Sequence, residues 1–221
     1  MNDRHFDAGV LAQMSDAQLV GRVIGGDHDC YRFLVQRHQD SMFRVAYALV
    51  LDDDVAADIV QDAFVRAYVS LARCRDRSRF RVWLLATLRN RGLDYLKEKR
   101  RGDLSLDVDG VTRRAEAMGA HTGAEDERHA LRTALEDAIA RLSDPLREAF
   151  LLRHVEQLSV EETAAVLGTG TSAVKMRVHR AREQLKEWLA DDENDHERSG
   201  GIDMPDTAGQ DVTGDGLRSS W

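Results

Sequence analysis

Apolar residues recur along this chain at the three- and four-residue spacing of helices that bury one face. In the stretch 29–50, for example, Phe33, Leu34, Phe43 and Leu49 fit one partly buried side. Short polar or glycine-containing segments separate such stretches, and acidic or hydroxyl residues stand where helices begin. The pattern therefore predicts an all-α protein. Its predicted helices cover about residues 15–24, 29–50, 52–71, 79–99, 127–141, 144–155, 160–167 and 172–189.

The helical pattern fades twice, which divides the chain into two small bundles. Between the bundles, glycine and aspartate become frequent and apolar periodicity is lost, as is typical of a flexible linker. Near the C-terminus the composition changes to Asp, Gly, Ser and Thr, which is typical of disorder. The predicted organisation is a first bundle at 16–101, a linker at 102–126, a second bundle at 127–189 and a disordered acidic tail at 190–221.

The charge of the chain is unevenly distributed, although its net value is −8. Residues 66–101 contain twelve basic and three acidic residues, whereas residues 190–221 contain nine acidic and two basic ones. The basic segment indicates a surface for nucleic acid in spite of the negative total. The acidic tail fits two readings: it masks the basic helices in the free protein, or it only solvates the chain.

Residues 158–185 have the pattern of a helix-turn-helix. Ser159 followed by Glu162 forms a capping-box sequence at the start of the first helix. Gly168 stands where a left-handed helix end favours a residue without Cβ. Helical spacing then defines the inward side of the second helix, which comprises Val174, Val178, Ala181 and Leu185.

The opposite side of this second helix is polar and basic. A recognition helix presents such a side to base edges in a major groove, and arginines beside it suit phosphates. An ordinary helical hairpin with a solvated basic face has the same charge pattern, but the cap, the turn glycine and the inward apolar residues together favour DNA binding. The predicted DNA-facing residues are Ser172, Lys175, Met176 and His179, flanked by Arg177, Arg180 and Arg182.

Signs of catalysis, metal binding or membrane insertion are lacking in the sequence. Cys30 and Cys74 form no CxxC motif and the histidines are scattered, so neither a disulfide framework nor a metal or cofactor site is predicted. No Ser-His-Asp set or phosphate-binding loop has usable spacing, so we predict that the chain is not an enzyme. An N-terminus without an apolar signal core, and no long apolar run, predict a cytoplasmic protein.

Two stretches resemble bacterial extracytoplasmic-function (ECF) sigma factors of the sigma-70 family. In region two of that family an acidic A-x-D-hydrophobic-hydrophobic-Q-x-x-F helix precedes a basic loop and a W-L-x5-N-x3-D-x2-[KR] pattern. Residues 135–185 resemble region four, and the order of the two stretches and the linker between them also agree. The matching region-two residues are Ala57, Asp58, Ile59, Val60, Gln61, Phe64, Trp83, Leu84, Asn90, Asp94 and Lys97.

The resemblance implies a promoter-specificity subunit that binds the β′ and β subunits of core RNA polymerase. The region-two helix of the family docks on the β′ coiled coil. Phe64 and Tyr68 would also fill a core, and for Phe64 both readings are equally open. Whether an anti-sigma factor is a further partner is left open. The implied polymerase contacts are Asp58, Gln61, Asp62, Phe64, Val65 and Tyr68.

The resemblance also implies two promoter contacts. The basic segment would read the melted minus-ten element, whose flipped bases occupy pockets while Lys and Arg hold the backbone. The recognition helix would read the minus-thirty-five element, with Thr171 added to the residues named above. Trp83 is expected in the core. The implied minus-ten residues are Arg75, Arg77, Arg79, Arg81, Arg89, Asn90, Arg91, Lys97, Arg100 and Arg101.

Two other functions fit part of the sequence. A stand-alone helix-turn-helix regulator would account for residues 158–185, but it has no need of the DIVQDAF helix at 58–64. A sigma-like decoy that only titrates an anti-sigma factor would account for that helix, but it has no need of the dense basic segment. The sequence therefore favours a sigma factor over both.

Overall fold

The computed structural model describes residues 8–103 and 134–199, and of residues 8, 102, 103 and 191–199 only the backbone. Every regular element in these two ranges is helical, so the predicted all-α class is confirmed. The main helices are α1 (Ala8–Gln13), α2 (Asp16–Ile24), α3 (Tyr31–Val50), α4 (Asp53–Val69), α5 (Phe80–Asp103), α6 (described at 134–141), α7 (Asp144–Phe150), α8 (Val160–Leu167) and α9 (Thr171–Ser199).

Three features differ from the prediction. Helix α1 was not expected, because its six residues carry no capping signal; Arg37 holds its end by donating to the carbonyl oxygens of Ala12 and Met14 at 2.9 and 2.8 Å. Helix α9 continues to Ser199 rather than ending at 189, because no glycine or proline interrupts it before Gly200, so the prediction of a disordered tail is wrong for residues 190–199. Helix α5 continues to Asp103 rather than ending near 99, so residues 102 and 103 are helical instead of linker.

The rest of the predicted linker (104–126), the predicted helical residues 127–133 and the tail from 200 onwards lie outside the described residues.

Helices α2 to α5 form the first bundle. Leu19, Leu34, Met42 and Leu88 are fully buried between them. Helices α3 and α5 lie close together at Gly92, where an added Cβ would lie 2.8 Å from Cδ1 of Leu49. Only glycine allows this approach without displacing the leucine, so the packing of these two helices depends on the missing side chain.

Asp16, at the start of α2, accepts charged hydrogen bonds from two residues of α3. Its carboxylate lies 2.6 Å from Nη1 of Arg37 and 2.8 Å from Nε2 of His38, which is buried. Burial alone would raise the pKa of the Asp16 carboxyl, but His38 and Arg37 together lower it below its ordinary value. The group therefore joins α2 to α3 in its charged form.

Asp16→Asn is expected to lower the free energy of unfolding at pH 7 by about 1–3 kcal/mol, since Arg37 and His38 lose a charged partner. A carboxyl with a lowered folded pKa stabilises the protein above its unfolded pKa, and this contribution is lost as the pH falls through the lower folded value. Urea unfolding should therefore give a difference between wild type and variant that is constant near neutrality and shrinks below about pH 4. The exposed Asp40→Asn serves as the control, and an equal loss there would contradict the explanation.

The second bundle comprises α6 to α9. Ala138, Leu142, Ala181 and Leu185 form a small core of their own. Other apolar residues of this bundle join the core of the first bundle, so the two bundles are packed against each other. These shared residues are Ala149, Leu152, Leu158, Ala164, Val166, Leu167 and Val174.

Candidate polymerase and nucleic-acid interfaces

The outer face of α4 combines exposed apolar and polar side chains. Val65, Tyr68 and Val69 are 59%, 39% and 79% exposed and follow one another at helical spacing. Asp58 and Gln61 are exposed one to two turns earlier. Large apolar residues exposed side by side on a helix are typical of a protein-binding surface. Val69 was not among the predicted polymerase contacts, although it lies four residues after Val65.

Phe64 lies on the buried side of α4, with 7% of its surface exposed. Its carbonyl oxygen accepts a hydrogen bond of 2.7 Å from the Tyr31 hydroxyl. Burial, with a smaller effect of Tyr68, raises the pKa of that hydroxyl. Tyr68 in turn lies edge-on to the Tyr31 ring at 5.0 Å and is 2.9 Å from Nδ1 of His28. Of the two interpretations of Phe64, the structure therefore favours a core residue. The Phe64 ring also lines the groove that lies between α3 and α4.

A groove of about 830 Å³ runs between α3 and α4. Val35 and Phe43 of α3 and Phe64 and Val65 of α4 contribute apolar surface to it. Asp29, Arg32 and Asp40 add charges along its length. The groove and the exposed face of α4 together form one surface, and this surface can bind a helix of a partner protein.

The basic loop before α5 has a defined conformation. Asp76 fixes it by accepting hydrogen bonds from the backbone nitrogen and the hydroxyl of Ser78, at 3.1 and 2.5 Å. Arg75, Arg77 and Arg79 are exposed around this turn. Three cations on one ordered turn suit the backbone of a single strand.

The predicted minus-ten residues of α5 divide into two groups. Asn90, Lys97, Arg100 and Arg101 are exposed, with Lys97 3.7 Å from the equally exposed Asp94. The remaining three predicted residues form ion pairs within the chain, and none of these pairs was predicted. The pairs are Arg81 with Glu156 at 2.5 Å, Arg89 with Glu148 at 2.6 Å and Arg91 with Asp62 at 2.8 Å.

The Asp62–Arg91 pair joins a predicted polymerase contact to a predicted DNA contact. The hydrogen bond to Asp62 raises the pKa of the Arg91 guanidinium. Asp62 remains half exposed, whereas Arg91 is mostly covered.

Trp83, which was predicted to lie in the core, is partly buried. It packs against the core, with its ring 6.0 Å from the Phe80 ring.

The helix-turn-helix has the predicted local structure. Ser159 and Glu162 form both hydrogen bonds of the capping box, at 3.0 and 2.7 Å, and Gly168 has a φ of +60°. On α9 the predicted inward residues are buried, with Val178 partly so. Of the predicted DNA-facing residues, Arg177 is partly buried. The others are exposed, and they are Thr171, Ser172, Lys175, Met176, His179, Arg180 and Arg182.

Gly168→Ala is expected to destabilise the second bundle by about 1–2 kcal/mol, because a Cβ is strained in the left-handed conformation. No neighbouring atom lies within 4 Å of the added carbon, so backbone strain alone would be measured. Urea unfolding followed by circular dichroism checks the loss. Gly168→Asn is the matched variant, since asparagine tolerates this conformation, and it should lose clearly less. Equal losses in both variants would refute the conformational explanation.

A basic groove of about 680 Å³ lies along α9. Lys175, His179 and Arg182 line it, together with Lys186 and Arg153. The last two were missed, although Lys186 lies four residues after Arg182 on the same side of the helix. The four Lys and Arg side chains outnumber the one acid that lines the groove, Glu183, so the groove suits a phosphate beside α9.

Comparisons with known proteins agree with this arrangement. The family model for Sigma-70 region 2 matches residues 34–102, and that for Sigma-70, region 4 matches residues 132–185. The chain is 33% identical over 188 residues to the RNA polymerase sigma-H factor of Pseudomonas aeruginosa, covering 81% of this chain and 96% of that relative. It is 34% identical over 179 residues to the ECF RNA polymerase sigma-E factor of Escherichia coli strain K12, covering 78% and 93%. The chain belongs to the extracytoplasmic-function sigma factors.

Two solved structures resemble this one. CnrH in complex with the cytosolic domain of CnrY is 27% identical with a TM-score of 0.58, covering 80% of this chain and 98% of that one. The sigma factor RpoE of Bartonella quintana, in complex with the anti-sigma factor NepR, is 29% identical with a TM-score of 0.58, covering 72% and 96%. The ECF sigma factor thus shares its fold with two proteins that were solved in complexes.

Membership of the ECF sigma factors confirms both the predicted family and the predicted role in transcription initiation. Sigma factors are generally regulators without catalytic activity. Within residues 8–103 and 134–199 no helix of this sigma factor is long and apolar enough to cross a membrane. Among the same residues, His, Cys, Asp and Glu form no group of three that could hold a metal ion.

Proposed function

We propose that this sigma factor binds core RNA polymerase through the outer face of α4 and the adjoining groove, and that it then recognises and opens promoters. Asp58, Gln61, Val65 and Tyr68 contact the polymerase, and Val69 extends the contact. Phe64 supports this surface from below. The chain performs no catalysis of its own and acts in the cytoplasm.

The observation that carries this proposal is the apolar stripe on α4. Val65 and Val69 are the two most exposed large apolar residues on this helix, at 59% and 79%. A regulator that contacts only DNA has no use for such a stripe, whereas burial of these side chains against a partner removes apolar surface from water. Because α4 packs against the basic helix α5, a polymerase bound to α4 would have the DNA-contacting residues beside it.

The two bundles divide promoter recognition between them. The exposed loop and α5, in a first domain at 16–101, contact the melted minus-ten element. The outward side of α9, in a second domain at 127–189, contacts the minus-thirty-five element, where Lys175 and Met176 reach base edges and the flanking arginines hold phosphates. Each contact alone is weak, but tethering raises the effective concentration of the second.

We also infer a protein partner of the anti-sigma kind. CnrH and RpoE, which share this fold, were solved with the cytosolic domain of CnrY and with NepR. The groove between α3 and α4 is apolar enough to receive a helix of such a partner, which would then compete with polymerase.

Reconstitution with bacterial core RNA polymerase tests the proposed function. Gel filtration measures association, and sequencing of transcripts made from genomic fragments measures initiation, with core enzyme alone as the control. Association together with transcripts that begin at defined sites is the expected result. Association without transcripts would support a decoy instead, and DNA binding without association would support a stand-alone regulator.

A further inference from the structure

Three aromatic side chains meet at one end of the groove between α3 and α4. His28 lies in the short turn before α3, Tyr31 at the start of α3 and Tyr68 near the end of α4. The Tyr68 ring lies edge-on to both others, with 5.0 Å between its centroid and that of Tyr31 and 6.0 Å between its centroid and that of His28. All three side chains line the groove, so this aromatic cluster forms one of its ends.

The residues that line the groove define its direction and its length. They run from Tyr31 to Phe43 along α3, and from Tyr68 back to Ala57 along α4. The two helices are antiparallel, because only residues 51 and 52 connect them. At the rise of an α-helix the lining of α3 spans about 18 Å, so a partner helix of about three turns would fill the groove and end beside Tyr68.

The polar atoms of the aromatic cluster bind within the chain. The Tyr31 hydroxyl donates to the carbonyl oxygen of Phe64, and the Tyr68 hydroxyl lies 2.9 Å from Nδ1 of His28. This nitrogen accepts from the hydroxyl when it carries no proton and donates to it when it does, so either form of the imidazole keeps the contact. The Tyr68 side chain is therefore held at two points, by its ring against Tyr31 and by its hydroxyl against His28.

The contact between His28 and Tyr68 matters for binding because Tyr68 is 39% exposed. An exposed side chain without an anchor exchanges between rotamers, and fixing one rotamer during association lowers the affinity about two- to tenfold. His28 lies 40 residues before Tyr68 in the chain, on a different element. The hydrogen bond between them fixes the Tyr68 ring before any partner is bound.

We propose that His28 is a positioning residue for polymerase binding: it holds Tyr68 in the orientation in which the partner receives it, and so pre-organises one end of the groove. This step rests on the proposed contact between Tyr68 and polymerase. His28 acts through Tyr68 and makes no contact with the partner itself. Without His28, the Tyr68 side chain is ordered only during association, at a cost in affinity.

His28→Leu tests this role by removing the ring nitrogen at an exposed position. The affinity for core RNA polymerase, measured by fluorescence anisotropy, should fall about fivefold. His28→Asn is the conservative variant, since its amide offers the Tyr68 hydroxyl both an acceptor and a donor near the place of Nδ1, and it should restore most of the affinity. Gln13→Leu introduces a leucine at an exposed position of α1 that does not line the groove, and it should bind as wild type does.

Tyr68→Phe separates positioning from a direct contact. It removes the hydroxyl and keeps the ring, so the anchor at His28 is lost. If His28 acts only through this hydroxyl, His28→Leu has no further effect in the Tyr68→Phe background, and the double variant binds as Tyr68→Phe does. Losses that add in the double variant would show that His28 affects polymerase binding by another route, and they would overturn the positioning role.

The free chain gives a measurement that does not involve polymerase. The sequence has four tyrosines, and the spectrum of Tyr68→Phe identifies the ring signal of Tyr68 in protein labelled with ¹³C-tyrosine. In His28→Leu this signal should narrow and move towards that of free tyrosine, because the ring reorients. In His28→Asn it should stay close to its wild-type position.

The two measurements together separate failure of the positioning role from failure of the proposed function. Wild-type affinity in His28→Leu, while the wild-type chain binds core enzyme, would overturn the positioning role alone. A changed Tyr68 signal in His28→Leu, with no association of even the wild-type chain with core enzyme, would support the contact between His28 and Tyr68 and overturn the proposed function.

Discussion

Val65→Asp is expected to lower the affinity for core RNA polymerase by about a hundredfold or more, because a charge would be buried without a partner in the proposed contact. Val65 is 59% exposed in the free chain, so the substitution should leave the fold intact. Fluorescence anisotropy of labelled sigma factor titrated with core enzyme measures the loss. Run-off transcription at limiting sigma factor should fall in parallel.

Val10→Asp is the matched control, since Val10 is 50% exposed on α1, away from α4. It should bind polymerase as wild type does. Equal affinity of Val65→Asp and wild type would exclude the outer face of α4 from the polymerase contact. Loss of helicity in Val65→Asp would be detected by circular dichroism and would identify a folding defect.

Lys175→Glu is expected to reduce transcription from minus-thirty-five-dependent promoters by about a hundredfold, because an anion would replace a cation in the proposed DNA contact. Lys175 lies on the exposed side of α9 and lines the basic groove. The salt dependence of promoter binding by the holoenzyme should also become less steep, since the substitution lowers the positive charge of this surface. Filter binding over a range of salt concentrations measures the slope.

Arg141→Glu makes the same change of charge in the same bundle. Arg141 stacks on Trp188 at 4.5 Å and is not among the residues that line the basic groove. Its effect on promoter binding should be small beside that of Lys175→Glu. Association of Lys175→Glu with core enzyme should be normal. A loss that is equally large on promoters without a minus-thirty-five element would contradict the assignment.

Local signals predicted much of the fold. The capping box of Ser159 and Glu162, the left-handed Gly168 and the inward spacing that begins at Val174 are properties of neighbouring residues, and the structure confirms each. Helices α2 and α8 begin and end at the predicted residues for the same reason. The exposed residues of α4 and α9 followed from helical geometry together with the family resemblance.

Contacts between distant parts of the chain could not be predicted in this way. Glu156 lies 115 residues after Ser41 and 75 after Arg81, and nothing in its neighbourhood in the sequence indicates a buried position. The sequence therefore predicted DNA contacts for Arg81, Arg89 and Arg91, although each of these residues forms an ion pair within the chain. Helix α1 was missed for a related reason, because its anchor, Arg37, belongs to another helix.

The fit of Gly92 against Leu49 has a mechanical consequence. Helices α3 and α5 cannot slide past each other at this point unless the Leu49 side chain moves. A partner bound in the groove between α3 and α4 would therefore hold the exposed basic residues of α5 in a fixed position. The DNA strand, rather than the helix, would have to change shape when the two meet.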